Sequence, residues 1–446
     1  MKALAGRQNA LASLARLLPY AAIVAAPLAL AALGDGEPHD RYAAYLGESV
    51  ALTAFVILAL QFVLAARLRW IEAPFGLDRL VTFHRVMAVA AAALLVSHPI
   101  LLAPGPRWHF LTSLDYPWYV LLGRATLAVI AVNIAAALGR AALRLKYEPW
   151  TALHSALGCL ALAGGFLHSW LAGPDLNPWP MRSLWIALAA AAAAGYAWNR
   201  VLRPLRLRRR AWTVTEVRQE TPAAWVLRLA PPKGERVPEY LPGQFHFLTL
   251  YRGRGLPVEE HPFSISSSPA QEGFLASTIK EAGDFTATIG LTRPGDRCAV
   301  LGPFGRFSYV LHPGEKDLVF IAGGIGITPL AAMLQHMRDI QAPRSVLLFC
   351  ANGRESDIAF RKELDEAASG ERPHVTVVHV LSHPGNAWAG ERGHVDEALL
   401  RRRLGAGAAG KAYYLCGPLP MIEMARRALR RIGVPASRIH FEVFRL

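Results

Sequence analysis

Cysteine is scarce in this chain: four residues among 446, and no two of them stand in a Cys-x-x-Cys pair. That excludes a disulfide-stapled scaffold and the usual structural zinc sites. Charge is scarce as well. Asp, Glu, Lys and Arg together make 18% of the chain, where soluble domains average roughly 25%. Hydrophobic residues reach 53%, so neither disorder nor a wholly soluble protein fits. Acid is short relative to base, 33 residues against 48, for a formal net charge of +15. Such an excess points to nucleic acid or to the cytoplasmic loops of a membrane protein, and its placement decides between them. No calcium-binding loop and no internal repeat occurs, and the length allows about three domains.

What is there begins with six long apolar stretches: Ala12–Leu33, Leu46–Ala66, Leu80–Ala103, Trp118–Leu138, Trp150–Leu171 and Leu184–Trp198. Each comes near the roughly 20 residues that cross a bilayer as a helix. Basic residues alternate between the connections. Lys2, Arg7 and Arg16 precede the first stretch; Arg67, Arg69 and Arg79 separate the second from the third; Arg140, Arg144 and Lys146 separate the fourth from the fifth. Arg200, Arg203, Arg206, Arg208, Arg209 and Arg210 follow the sixth, whereas the other connections carry Asp35, Glu37, Asp40, Asp115 and Asp175. The positive-inside rule then puts both termini in the cytoplasm and accounts for the base without nucleic acid. The last arginine run also suits anionic lipid. The expectation is a multi-pass protein of a bacterial inner or plasma membrane. A basic start, an apolar run and Ala29-Leu30-Ala31 also fit a signal peptide, although the run is long for one.

Polar groups inside lipid are costly, which makes an intramembrane histidine a functional candidate. His84 and His98 lie in the third stretch and His154 and His168 in the fifth, each pair fourteen residues apart. On an ideal helix that spacing is close to four turns and about 21 Å, so each helix shows two imidazoles on nearly one face. Both helices run outward from the cytoplasm, so His84 faces His154 on the inner side and His98 faces His168 on the outer side. Facing imidazoles suit the two axial positions of a haem iron, and two such pairs suit two stacked haems. One zinc ion cannot use pairs so far apart, since its bonds are about 2 Å long. Arg85 is a candidate partner for a haem propionate, or a cytoplasmic anchor. His109 lies in an outward loop.

From Trp212 onward short β-rich runs replace the long stretches, at Trp212–Val217, Trp225–Leu229, Gln244–Leu250, Phe263–Ser267, Leu275–Lys280 and Arg297–Leu301. Their even spacing suggests a small antiparallel barrel. From about Asp317, strands at Leu318–Ala322, Val346–Cys350, Val375–Val380, Tyr413–Cys416 and Phe441–Phe444 alternate with helices at Pro329–Met337, Ile358–Glu366, Asp396–Arg403 and Met421–Ile432. That alternation predicts a doubly wound parallel sheet. Ile321-Ala-Gly-Gly-Ile-Gly-Ile-Thr-Pro329 follows a strand and opens a helix, where glycines admit a pyrophosphate and the helix start favours its charge. His261-Pro-Phe-Ser-Ile-Ser-Ser-Ser-Pro269 offers hydroxyls, amides and an aromatic face to a flavin chain. Gly283-Asp-Phe-Thr286 precedes an expected helix and reads as a cap whose free amides also suit phosphates. Arg354, after the second strand, suits a 2′-phosphate; Glu355 beside it counts against that, and the balance leans to NADPH. Cys159, Cys298 and Cys350 read as packing.

The membrane half resembles the ferric reductase and NADPH oxidase superfamily. The resemblance is carried by Leu77-Asp78-Arg79, Phe83-His84-Arg85, His98-Pro99, Glu148-Pro149-Trp150, His154 and His168. The remainder resembles the ferredoxin-reductase family, on the three segments above together with Gly302-Pro-Phe-Gly305, Leu415-Cys-Gly-Pro418 and Phe441-Glu-Val-Phe444. His261 stands where soluble members have an arginine, as in the oxidase and ferric reductase branch. Together the two resemblances cover nearly the whole chain. They imply a six-helix transmembrane domain over 1–203, a β-barrel FAD domain over 211–310 and an α/β NAD(P)H domain over 315–446.

The same resemblance implies that His84, His98, His154 and His168 ligate two b-type haems, and that His261, Pro262, Phe263, Ser264, Ser267 and Thr286 hold FAD. Gly323, Gly324, Gly326, Thr328, Pro329 and Gly417 would hold the nicotinamide nucleotide. Cys416 would stand near the nicotinamide, and Phe444 would stack on the isoalloxazine. Electrons would pass from cytoplasmic NAD(P)H through FAD and the haems to an external ferric chelate, or to dioxygen giving superoxide. The chain departs from eukaryotic oxidases in two places: Leu102 stands where they carry a further histidine, and the second stretch has no arginine before Arg67. A different reading stays open, in which a haem-free membrane anchor or transport module carries a flavin reductase for a cytoplasmic partner.

Overall fold

The computed structural model describes residues 2–32, 42–102 and 112–443. The chain divides into two units, Ala3–Leu205 and Arg206–Leu446. The first is helical: α1 (Lys2–Ala32), α2 (Tyr42–Ala65), α3 (Leu77–Leu102), α4 (Trp118–Leu138), α5 (Tyr147–Ala172) and α6 (Trp179–Ala197). Five of these, α1 to α5, are long and apolar enough to cross a membrane. The sixth expected span is a helix of 19 residues, but it does not reach that apolarity. Arg182 and two tryptophans occupy its first two turns and alanines fill its second half, so it is less greasy than its neighbours.

Side chains explain why this unit is built for lipid. Leu18, Val81, Val86, Val132, Leu153 and Leu160 are all exposed, which a water-soluble bundle would bury at about 25 cal/mol per Å². The interior is centred on α2. Its Leu52, Phe55, Val56, Ala59 and Leu60 pack against Met181, Trp185, Leu188 and Ala192 of α6. Phe55 stacks on Trp185 with ring centres 5.0 Å apart, and the Trp185 indole N–H donates to Ser169 Oγ at 2.9 Å. Between α4 and α5 small residues allow close approach: a Cβ on Gly164 would fall 2.3 Å from Thr126 Oγ1.

The second unit begins with a six-stranded antiparallel sheet. Its strands are β1 (Trp212–Thr221), β2 (Ala224–Ala230), β3 (Phe245–Tyr251), β4 (Glu260–Ser264), β5 (Leu275–Lys280) and β6 (Arg297–Phe304). They lie in the order β4-β3-β6-β1-β2-β5. Beyond the end of β4, Ser266 N donates to Ala276 O of β5 at 2.8 Å, linking the two outermost strands. Trp212, Val214, Leu227, Leu229, Leu248, Leu250 and Ile279 fill the inside. Strand β4 starts three residues earlier than expected and ends at Ser264. Pro262 is tolerated there because β4 is an outer strand and owes no second ladder. The expected helix after Gly283 is a 3-10 stretch, Thr286–Leu291.

A parallel sheet follows, made of β7 (Asp317–Gly323), β8 (Ser345–Asn352), β9 (His374–Leu381), β10 (Glu391–Arg392), β11 (Ala412–Gly417) and β12 (Ile439–Val443). Its order is β10-β9-β8-β7-β11-β12, so the winding reverses between β7 and β11. Helices Ile327–Asp339, Arg361–Ala368, Glu397–Leu404 and Leu419–Arg431 connect the strands. The sheet is buried on both faces: Phe320, Leu330, Met333 and Leu348 lie on one side, and Ile321, Phe349, Leu400 and Ile422 on the other. This is why its strands read as continuous apolar runs.

Candidate functional site

Helices α3 and α5 bring the four histidines together in two pairs. The ring centres of His84 and His154 lie 6.4 Å apart, and those of His98 and His168 lie 6.5 Å apart. No pair was crossed, because fourteen residues return a helix to nearly the same face. Three of the four rings are oriented through Nδ1. His98 Nδ1 stands 2.9 Å from Gly47 O, His168 Nδ1 2.7 Å from Tyr119 O, and His154 Nδ1 2.8 Å from Asn133 Oδ1. Each acceptor takes the Nδ1 proton, which leaves the lone pair on Nε2 free to bind a metal. Trp150 stacks on His154 with ring centres 5.4 Å apart. At the second pair Gly123 makes room: a Cβ there would lie 2.6 Å from His168 Cε1. Arg85 is exposed, and His109 lies outside the described residues.

In the second unit the glycine turn sits where the winding reverses, the usual place for a ligand in such sheets. Its parts press on β11. A Cβ on Gly326 would fall 2.4 Å from Cys416 O, and one on Gly417 would fall 3.0 Å from Gly323 Cα. Gly324, by contrast, has φ +53° and nothing within 4 Å of a Cβ, so it faces open space. The helix Ile327–Asp339 starts immediately afterward, with Thr328 Oγ1 donating to Ile325 O at 2.7 Å and Pro329 in its first turn. Cys416 is wholly buried. Burial pushes its thiol well up and Glu442 adds to the effect, so it stands as a neutral thiol rather than a nucleophile. Arg354, on the loop after β8, is exposed. Phe444 lies outside the described residues.

The flavin candidates cluster around β4. His261 Nε2 is 2.8 Å from Glu259 Oε2, and its ring stacks on Phe285 with centres 4.3 Å apart. Pro262 is exposed and Phe263 half-buried. Ser264 Oγ is buried with no hydrogen-bond partner. Ser267 is engaged, accepting from Ala276 N at 3.0 Å and lying 3.0 Å from Tyr240 Oη. Thr286 Oγ1 accepts from Ala282 N and Gly283 N, so here it ties the turn. One polar group of this sheet escaped the sequence: His246 is fully buried beside Ser277 Oγ at 2.9 Å, and burial lowers it to about 4.

Comparison with known proteins divides along the same line. Residues 50–165 match the ferric reductase like transmembrane component family, and residues 320–427 match the oxidoreductase NAD-binding domain. The chain thus carries the domain fusion of the ferric reductase and NADPH oxidase superfamily: a multi-pass membrane domain joined to an FAD and NAD(P)H oxidoreductase domain. Among individual relatives, a flavohemoprotein of Bordetella parapertussis is 29% identical over 378 residues, 80% of this chain and 84% of its own length. The ferredoxin reductase component of a 3-ketosteroid-9-alpha-monooxygenase from Mycolicibacterium smegmatis is 33% identical over 242 residues, 52% of this chain and 64% of its own. The FAD/NAD binding domain of a nitric oxide dioxygenase from Vibrio cholerae is a similar solved structure, with TM-score 0.48, 23% identity and coverage of 53% of this chain and 98% of that one.

Proposed function

We propose that this transmembrane NAD(P)H oxidoreductase holds two b-type haems between α3 and α5 and FAD in the sheet around β4. It would deliver electrons to an acceptor on the far side of the membrane. The observation that carries the reading is the pair of ring separations, 6.4 and 6.5 Å. Two metal–nitrogen bonds of about 2 Å, with half an imidazole behind each, come to roughly 6 Å between ring centres. The donor set fits as well: His98, His154 and His168 each present a neutral Nε2. The orphaned Ser264 hydroxyl supports a flavin, and the open space at Gly324 supports a pyrophosphate against the helix start.

When bound, flavin and haem supply hydride acceptance and one-electron transfer; the chain supplies place and order. His84 with His154 would hold the inner haem and His98 with His168 the outer one. Cys416, Gly417 and the turn from Gly323 to Gly326 orient the nicotinamide, with Thr328 and Pro329 fixing the helix start. His261, Pro262, Phe263, Ser264, Ser267 and Thr286 hold FAD, with the sheet curled as a barrel over 211–310 ahead of the NAD(P)H domain over 315–446. Phe444 would be the aromatic partner of the isoalloxazine. Arg354 favours NADPH. The membrane domain, over 1–203, counts α6 as a sixth span, with both termini in the cytoplasm. Ferric chelate and dioxygen are the acceptor classes.

The test is the optical spectrum and haem content of the purified full chain. Low-spin bands at two haems per chain are the expected result. Bound FAD without haem would instead indicate a membrane anchor carrying a flavin reductase. An assay with ferric chelate, with and without oxygen and with superoxide detection, then separates the two acceptor classes.

A further inference from the structure

The histidines belong to a wider repeat. Gly47 and Gln61 on α2, His84 and His98 on α3, Tyr119 and Asn133 on α4, and His154 and His168 on α5 are each fourteen residues apart. Two sets of four groups therefore recur at two depths, each with a ring pair in the middle and an acceptor position behind each ring. At the outer depth both acceptors are main chain, Gly47 O and Tyr119 O. At the inner depth they differ. The Gln61 main chain lies beside His84, yet His84 Nδ1 is buried without a hydrogen-bond partner. His154 is held by a side chain, the Asn133 carboxamide, whose Nδ2 also donates to His154 O at 3.3 Å. That second bond fixes which end of the amide faces the ring: the oxygen must accept from Nδ1–H.

We propose that Asn133 is the positioning residue of the inner haem site, holding His154 in the tautomer that ligates through Nε2 and setting how strongly that imidazole donates to iron. The proposal rests on the two-haem reading. An acceptor on Nδ1–H makes the ring a stronger electron donor, which favours the oxidised metal. Main-chain acceptors offer the same carbonyl whatever residue bears them. At the outer site, then, ligand strength does not depend on residue type, whereas at the inner site it is set by the side chain at position 133. The plainer role for an amide in a membrane helix is glue between neighbours. The two roles differ in sign. Any substitution weakens glue, but a tuning acceptor responds in opposite directions to removal and to charge.

The experiment is a spectroelectrochemical titration of both haems in the full-length protein in lipid nanodiscs. Asn133→Leu is expected to raise the inner midpoint potential and Asn133→Asp to lower it, with the outer potential unmoved in both. Shifts in the same direction, no shift, or an equal shift at the outer haem would overturn the proposal. Should Asn133→Leu not fold or lose the inner haem, Asn133→Asp decides alone: a lowered inner potential supports the role, and an unchanged or raised one refutes it. Wild-type protein without haem would instead refute the two-haem reading itself.

Discussion

In the membrane unit the candidate site is built from side chains at fixed intervals along two helices, while aliphatic residues around them face outward. In the second unit the candidate site is built from backbone: a turn in which Gly326 approaches Cys416 so closely that no Cβ fits, while Gly324 faces open space, set in a sheet buried on both faces. The difference follows from the solvent. Lipid cannot satisfy a polar group, so each one kept in a span stands out and is costly to leave unpaired. A parallel sheet hides both faces, so a ligand meets it at a loop, and a loop that cradles phosphate does so with amides.

The sharpest way to break this comparison is to remove one side chain from the helices. His98→Ala is expected to lose the outer haem and at least a hundredfold of external acceptor reduction, while reduction of bound FAD by NAD(P)H continues. Haem quantification and stopped-flow flavin bleaching would read the two halves separately, and undiminished external reduction would sink the assignment. Next comes the backbone counterpart. A methyl at Gly326 meets Cys416 O, and overpacking of this kind costs about 1–3 kcal/mol. Gly326→Ala should therefore weaken NAD(P)H binding about tenfold or more in steady-state KM and leave the haem spectrum untouched. A milder intrusion tests the reverse. Gly123→Ala would press on His168, and a change confined to the outer haem bands is the expected spectroscopic result.

Smaller still is Arg354→Ala. Loss of one charge-assisted hydrogen bond, about 1.5–3 kcal/mol, should cut the preference for NADPH over NADH roughly tenfold in kcat/KM. The last concerns pH. His246 is held neutral by burial, its value lowered to about 4 from 6.5, so below pH 6.5 the unfolded chain takes up a proton that the folded one refuses. Stability of the second unit should fall as pH drops from about 6.5 to 4, by up to tenfold in the folded ratio per pH unit. Denaturation curves of His246→Phe should be flatter over that window.

Much of this was legible in the sequence because it lives in residue type and spacing. The interval from His84 to His98, repeated from His154 to His168, foretold both pairs, and Ile321 to Pro329 foretold a strand, a turn and a helix. What was not legible lies in main chain or in context. Gly47 O and Tyr119 O orient two rings, and a carbonyl has no signature in a sequence. Asn133 did have one, an amide in an otherwise apolar span, and its distance of fourteen from Tyr119 only gains meaning once α4 is seen behind α5. Strand β4 was misplaced by three residues because the serine run looks like its continuation, yet Ser266, Ser267 and Ser268 are buried beyond its end at Ser264. Helix α6 falls short of its neighbours in apolarity because Arg182 and two tryptophans stand in its first two turns, and the alanines that follow are only weakly apolar.

Helix α2 contributes no ligand, yet its main chain stands behind both His98 and His84, while its other flank carries the packing against Trp185. A point substitution between Gly47 and Gln61 leaves that alignment alone. Losing or gaining one residue there would swing one end of the helix by about 100° against the other, so that only one of the two imidazoles kept its backing. Natural variation in this segment should therefore tolerate changes of letter far more readily than changes of count.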